Sequence, residues 1–307
     1  MAQPTSGRRR SPQARGVSAH RLSAARIRMW IRAQLAEALV SLRARSPSDV
    51  QVHAARKSIK RARAGLRLLR DMLGRAAYQR ENETLRDAGR PLSPARDAKI
   101  LLDVLESLAE KHSVNPDSAK SLRKALDRRR SQLERRALAE HQIVAVRRLL
   151  REGDRRIRRW SLAAADADAA MLIRALRRVY RRGQKTMADA AQNPHAAALH
   201  EWRKEVKYLW HALQILPPKQ VRADARADTA HKLADHLGDN HDLAVLHDYV
   251  LARRKLLSRA AARALLREIR KRRLVLEKKA FTLGRRLFRE KPRKFVARFQ
   301  RLRPASR

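Results

Sequence analysis

The chain has 307 residues, with 74 Lys and Arg against 30 Asp and Glu, which gives a formal net charge of +44 at pH 7. A compact protein with this excess repels itself, so the composition points to a polyanionic partner. The absence of cysteine excludes disulfides, a thiolate nucleophile and Cys-based metal sites, and no apolar run approaches the roughly 18 residues that a membrane span needs.

The predicted elements begin after a basic N-terminal tail. Residues 1–20 are rich in Arg, Ser and Pro and lack the apolar core of a secretory signal, so we expect a disordered tail on a soluble, cytoplasmic protein. A transit peptide has a similar composition and is the alternative. Residues 24–42 then show apolar side chains at helical spacing, and the turn at 46–49 offers Ser48 or Asp49 as a cap for the next helix.

The helix predicted for residues 52–73 carries two parallel stripes of side chains. One is apolar, with i, i+3, i+4, i+7 spacing, and comprises Val52, Ala55, Ile59, Ala62, Leu66, Leu69 and Leu73. The other lies roughly 90° round the helix and is basic; it comprises His53, Arg56, Lys60, Arg63, Arg67 and Arg70. No acid interrupts residues 51–70, although like charges at i, i+4 repel. We interpret the basic stripe as a holder of anions, with a solvated charged surface as the alternative.

More amphipathic helices follow, with few strand signals among them, and the sequence predicts an all-α fold. The predicted segments are 75–87, 95–111, a long basic helix at 118–151, 171–190, 199–216, 258–289 and a short one at 291–302. A weak segment at 160–168 suggests a mid-chain boundary. We therefore expect two helical halves, residues 21–155 and 156–302, between a tail at 1–20 and a basic tail at 303–307.

An internal repeat relates the two halves. An offset of 147 residues maps His53 to His200, and it also places Lys60 on Lys207, so both stripes recur in the segment LHEWRKEVKYLWHALQIL. About four helices in each half predict two antiparallel bundles related by a pseudo-two-fold axis, with the basic stripes facing each other. Because Arg63 is matched by Trp210, we expect the first half to supply more positive charge. Arg67, matched by Gln214, adds to this asymmetry.

Three motifs in order resemble the CHAD domain, the conserved histidine α-helical domain. They are HxxRKxxKRxRAxLRLLR, LHEWRKEVKYLWHALQIL and KLADHLGDNHDLAVL, and the resemblance spans about residues 20–300. It implies two four-helix bundles around a basic central cavity. It also implies that the protein binds inorganic polyphosphate without catalysis, in association with polyphosphate granules.

Polyphosphate carries about one charge per unit and no base, so its receptor needs a row of donors. Lys and Arg at helical spacing supply such a row, with rises of roughly 5 to 6 Å between neighbours, and Arg can hold two oxygens at once. The predicted ligands are Arg56, Lys57, Lys60, Arg63, Arg67, Arg203, Lys204 and Lys207. His53 and His200 are added as ligands near helix starts, with a packing or capping role as the alternative.

Two other functions compete with this interpretation. A metal-dependent phosphohydrolase would use His241 and Asp242 with His200 and neighbouring histidines, but His231 and His236 do not share a helix face with His241. We therefore expect no metal, no cofactor and no catalysis. The stronger competitor is sequence-independent nucleic-acid binding, because basic helices are also its footprint; the cations beside the apolar stripe favour a cleft for a thin anion instead.

Overall fold

The computed structural model describes residues 23–110, 119–137, 139–162, 165–216 and 225–300. Within these ranges it has eleven α-helices and no strand, which confirms the all-α prediction. The helices are α1 Ala24–Ser41, α2 Asp49–Leu68, α3 Arg70–Gly89, α4 Ser93–Glu110, α5 Lys120–Ala137, α6 Glu140–Arg158, α7 Ala165–Gln192, α8 Ala196–Ile215, α9 Arg226–Ala252, α10 Arg259–Leu287 and α11 Pro292–Gln300. The predicted tails at 1–20 and 303–307 lie outside the described residues.

The start of α2 is fixed by a capping box. The Ser48 hydroxyl accepts a hydrogen bond from the Gln51 backbone N–H, and the Gln51 side chain accepts one from the Ser48 backbone N–H at 2.8 Å. The helix ends earlier than predicted, because it stops at Leu68 and α3 begins at Arg70. Gly74, with φ of +73°, kinks α3 instead of ending α2. Arg70 therefore belongs to another helix than the basic stripe of α2.

The helix order repeats with one difference between the halves. Helices α1 and α2 correspond to α7 and α8, and each pair packs together. In the second half the single helix α9 takes the place of α3 and α4, and the single helix α10 takes the place of α5 and α6. Pro91 separates α3 from α4, since proline has no N–H for the helix ladder. The single helix predicted at 118–151 is wrong, because Ala139 adopts a non-helical backbone and a new helix begins after it.

Two hydrophobic cores hold these helices together. The larger core draws on both halves, through α1, α2, α3, α6, α7, α8, the beginning of α9, the end of α10, and α11. The smaller core lies where α4 and α5 meet the end of α9 and the beginning of α10. The apolar stripe predicted on α2 is buried in the larger core from Val52 to Leu66. The division into units at residue 155 stays a prediction, and α6 itself continues to Arg158.

Gly284 allows α10 to lie directly against the fully buried Trp202 of α8. A Cβ at this position would stand 2.5 Å from Trp202 Cζ2 and 2.8 Å from Met187 Sδ. We expect Gly284→Ala to lower the free energy of unfolding by about 1–3 kcal/mol, because the indole has no room to move in a packed core. Urea denaturation followed by circular dichroism measures this change.

Gly153 provides the matched control for that substitution. It is also a buried helical glycine, but the nearest atom to its Cβ would be Thr84 Cγ2 at 3.8 Å. Gly153→Ala is therefore expected to raise the free energy of unfolding by about 0.5–1 kcal/mol, the usual gain in a helix interior. Equal effects of the two substitutions would show that the contact with Trp202 does not limit position 284.

Candidate functional site

Helices α2 and α8 pack against each other and bring their basic stripes together. Burial, followed by the positive charges of Arg56 and Lys207, lowers the pKa of Lys60 to about 8. Burial, followed by the charge of Arg203, lowers the pKa of Lys207 to about 8. By solvent accessibility the side chain of Lys60 is exposed and that of Lys207 is half-buried, so protein surrounds both ammonium groups without covering them. We call the space lined by Arg56, Lys60, Arg203 and Lys207 the basic cleft.

The N-terminus of α4 forms the edge of the basic cleft on the first half. Asp97 accepts a hydrogen bond from Arg56 at 3.3 Å, and this ion pair orients the guanidinium of a largely buried side chain. The neighbouring Arg96 was not predicted as a site residue. Its positive charge is nevertheless the second-largest cause, after burial of the imidazole, that lowers the pKa of His53. Its Nε is buried with no hydrogen-bond partner in the described part of the chain. A donor of this kind is available to an incoming anion.

Helix α9 forms the edge on the second half, where glycine gives room to Arg203. A Cβ at Gly238 would lie 3.5 Å from both Nε and Nη2 of Arg203, so the guanidinium rests on the α9 backbone. Arg203 Nε is buried and has no hydrogen-bond partner among the residues that the structure describes. An unpaired buried donor costs free energy unless a ligand or water satisfies it. This guanidinium is therefore placed to donate into the basic cleft.

Acidic residues of α9 also face the basic cleft, and they were not among the predicted ligands. The negative charges of Asp235 and Asp242 act on Lys207 and oppose the fall in its pKa. Burial, and then the charge of Asp242, raises the pKa of Asp239 above its ordinary value. The repeat could have revealed Asp242, because an offset of 145 residues pairs it with Asp97, the partner of Arg56. The second half thus has the less positive wall.

Both predicted histidines lie beside these cations, but as neutral imidazoles at pH 7. Burial is the largest cause that lowers the pKa of His53, and burial and the charge of His241 lower that of His200 to about 4. The Nδ1 atoms of His200 and His241 are 3.2 Å apart and share a hydrogen bond, with ring centroids 4.3 Å apart. His200 thus already has a protein partner. A direct contact of either histidine with a ligand stays a prediction.

Arg63 and Arg67, expected to enrich the first half, have protein partners. Both Nε and Nη2 of Arg63 donate to Asn82 at 3.1 Å. Arg67 donates to the buried Glu205 at 3.1 Å, and its guanidinium stacks 4.1 Å above the centre of the Tyr208 ring. Much of the extra positive charge of the first half is therefore paired with groups of the protein itself. The predicted role of the two arginines as ligands is untested.

The remaining predicted ligands lie at the solvent-exposed rim. Lys57 is exposed on α2. Lys204 is exposed on α8, where its ammonium group donates to Glu201 at 2.8 Å. The structure therefore brings four predicted cations, Arg56, Lys60, Arg203 and Lys207, close enough for their charges to act on one another, and places the other two lysines at the rim.

The alternative metal site finds little support in the geometry. His200 and His241 meet, but His231 forms an ion pair with Asp235 at 2.6 Å. Within the described ranges, no group of three or more His, Asp or Glu is arranged to hold a metal ion.

The helices in those ranges also include none whose length and apolar content would allow it to cross a bilayer.

Comparison with known families identifies the fold. The model of the CHAD domain matches residues 30–251. The chain belongs to the CHAD domain family. A CHAD domain crystal structure from the plant Ricinus communis is similar to it, with a TM-score of 0.60 and 16% identity, covering 95% of this chain and 96% of that one. PptA from Streptomyces chartreusis has a TM-score of 0.61 and 16% identity, covering 87% and 99%.

These CHAD structures establish the fold alone, because sequence identity is low. A search of characterised proteins by sequence finds no match. The helices that carry the basic cleft, α2 and α8, lie inside the matched region. The match therefore identifies the fold, and the ligand has to be argued from the side chains.

Proposed function

We propose that this CHAD domain binds inorganic polyphosphate in the basic cleft without catalysing its synthesis or hydrolysis. The observation that carries the proposal is that the packed helices α2 and α8 bring Lys60 and Lys207 into the basic cleft, where burial and neighbouring cations lower the pKa of both to about 8. Like charges gathered in this way repel one another in the free protein. A polyanion between them would remove the repulsion and restore both lysines to full charge.

The spacing of the cations along the two helices favours a linear anion. Arg56 and Lys60 follow one another by one helical turn on α2, and Arg203 and Lys207 do so on α8, so each wall offers donors about 6 Å apart. Phosphates in a single flexible strand can meet both walls at once. The two unpaired guanidinium nitrogens, on Arg96 and Arg203, add donors at the ends of the walls.

The absence of catalysis in the proposal rests on the chemistry of the lining. The side chains of the four defining residues are cations that bind phosphate oxygens as donors, and the imidazole of His200 already bonds to His241. Association with polyphosphate granules in the cytoplasm follows from binding a polymer through short stretches. The predicted contacts of His53, Lys57, Arg63, Arg67, His200 and Lys204 are part of the same proposal, as outer ligands of a longer strand.

Titration with polyphosphates of defined length, at one ionic strength, tests the proposed function. We expect the affinity per binding site to rise with polyphosphate chain length until the strand spans the cleft. Longer chains should then bind each site with the same affinity. Release of free phosphate should stay at the background of protein-free samples. Salt dependence alone is no test, because any polyanion releases counterions.

Competition with nucleic acid decides between the two candidate partners. Duplex DNA at the same phosphate concentration is expected to leave most of the bound polyphosphate in place. Ready displacement of polyphosphate by DNA, with no length dependence in the titration, would contradict the proposal.

A further inference from the structure

The solvent face of α6 carries a row of arginines that the basic cleft does not use. Arg148, Arg151, Arg155 and Arg159 follow one another at steps of three or four residues, so they lie on one line about 16 Å long. All four are exposed, and none of their side chains makes a hydrogen bond or ion pair among the described residues. The main packing partners of α6 are α1 and α3, whereas the cleft lies between α2 and α8.

Other arginines of the same helix stabilise the fold. Arg147 donates to three backbone carbonyls after α1, those of Leu42 and Arg43 at 2.6 Å and of Ala44 at 2.7 Å. Arg156 makes a two-pronged ion pair with the buried Glu81 at 2.8 and 2.9 Å. Structural roles therefore fall to arginines that point towards the protein. The arginines of the exposed row have no such structural role, although their like charges at i, i+4 repel one another.

A shallow hollow lies beside the row. Arg155, Arg156 and Arg159, with Glu152, line a shallow hollow of about 270 Å³. Glu152 is the only acid on this side of the helix between Arg148 and Arg159. Positive charge thus dominates the face over its full length, and the guanidinium groups can each hold phosphate oxygens in pairs.

The composition of the face selects among polyanions. A membrane-binding helix presents several large apolar side chains beside its cations. On α6, Val144 is the only large apolar side chain that is exposed. Single strands are held by stacking on aromatic rings, and no aromatic residue lies on the row between Arg148 and Arg159. A duplex requires neither, because its backbone presents dense phosphate charge outside the base pairs.

We propose that the arginine row of α6 is a second anion site, which binds the backbone of a nucleic-acid duplex independently of sequence and of the basic cleft. Arg148 to Arg159 are opposite in charge to the backbone, and no Asn or Gln on the row reaches towards base edges. Because the two sites lie on different helices, one molecule can hold polyphosphate and a duplex at once.

Fluorescence anisotropy with a labelled duplex of about 20 base pairs tests the second site. Arg151→Glu/Arg155→Glu is expected to lower duplex affinity at least about tenfold. It should also reduce the slope of log K against log salt concentration by about two, because each arginine neutralises about one phosphate. Polyphosphate affinity should change by less than about threefold, as expected for distant surface charges.

The chain offers a close match for this control. Arg263 and Arg267 on α10 are also exposed, four residues apart and with side chains that have no partner among the described residues. Arg263→Glu/Arg267→Glu makes the same change in net charge and should lower duplex affinity less than about threefold. Circular dichroism melting checks that both variants are folded.

Several outcomes would overturn the second site. Equal losses in the α6 and α10 variants would mean that only net charge matters. Loss of duplex binding in Lys60→Glu/Lys207→Glu, with the α6 variant unaffected, would place the duplex in the basic cleft. Tighter binding of single-stranded DNA or of anionic phospholipid vesicles than of the duplex, lost in the α6 variant, would assign the row to another partner. None of these results depends on whether the cleft binds polyphosphate.

Discussion

Lys60→Glu/Lys207→Glu is expected to weaken polyphosphate binding at least about 100-fold. The two lysines stand on opposite walls of the basic cleft, and each contributes a charge-assisted contact of about 1.5–3 kcal/mol to a bound phosphate. Reversal removes both interactions and adds repulsion from two carboxylates, and every 1.4 kcal/mol of binding free energy is about tenfold in affinity. Isothermal titration calorimetry with a polyphosphate of defined length measures the change.

A variant with the same total charge separates the cleft from general electrostatics. Lys124 on α5 and Lys278 on α10 are exposed, lie one in each half, and have side chains without a partner among the described residues. Lys124→Glu/Lys278→Glu should reduce affinity by only a few-fold, through the longer-range field. If this variant binds as weakly as the cleft variant, the polymer does not enter the cleft.

Polyphosphate affinity is also expected to fall as the pH rises from 7.5 to 9.5, by at least about tenfold. Lys60 and Lys207 have pKa values of about 8 in the free protein, so they lose their protons over this range. A bound polyanion raises these pKa values, and binding above pH 8 must therefore take up protons. Calorimetry in buffers of different ionisation enthalpy measures the proton uptake directly.

The stability of the free protein should move in the opposite direction. A lysine whose pKa falls from 10.5 to about 8 on folding binds fewer protons in the folded state, so its contribution to stability increases between pH 8 and pH 10.5. Lys60→Arg/Lys207→Arg serves as the control for both effects, because guanidinium stays charged throughout this range. A fall in affinity that persists in the arginine variant would assign it to other groups.

Periodicity predicted the helices and the repeat because both depend on local spacing. Val52, Ile59 and Leu66 recur at helical intervals, and all three are buried. The same reasoning could not find partners that are distant in the chain. Arg67 fits the basic stripe by spacing, yet it pairs with Glu205, 138 residues away, and stacks on Tyr208. Spacing shows which side of a helix a cation occupies and leaves its partner undetermined.

Helix breaks without proline or glycine were equally hard to predict. The break before Glu140 falls in a segment that contains neither, so propensity favoured one long helix there. Packing decided otherwise, since α5 belongs to the smaller core and α6 to the larger one. By contrast, Asp242 of α9 was predictable in principle, because the repeat aligns it with Asp97, which pairs with Arg56.

The uneven subdivision of the halves has a mechanical consequence. Helices α9 and α10 each run through both cores without interruption, whereas the first half crosses the same distance in two pieces, joined at Pro91 and again before Glu140. An unbroken helix resists bending, while a joint needs only a few backbone torsions to turn. Any widening of the space between α2 and α8 should therefore pivot at the joints of the first half, with α9 and α10 acting as a stiff frame. The two copies share a pattern of side chains and differ in rigidity.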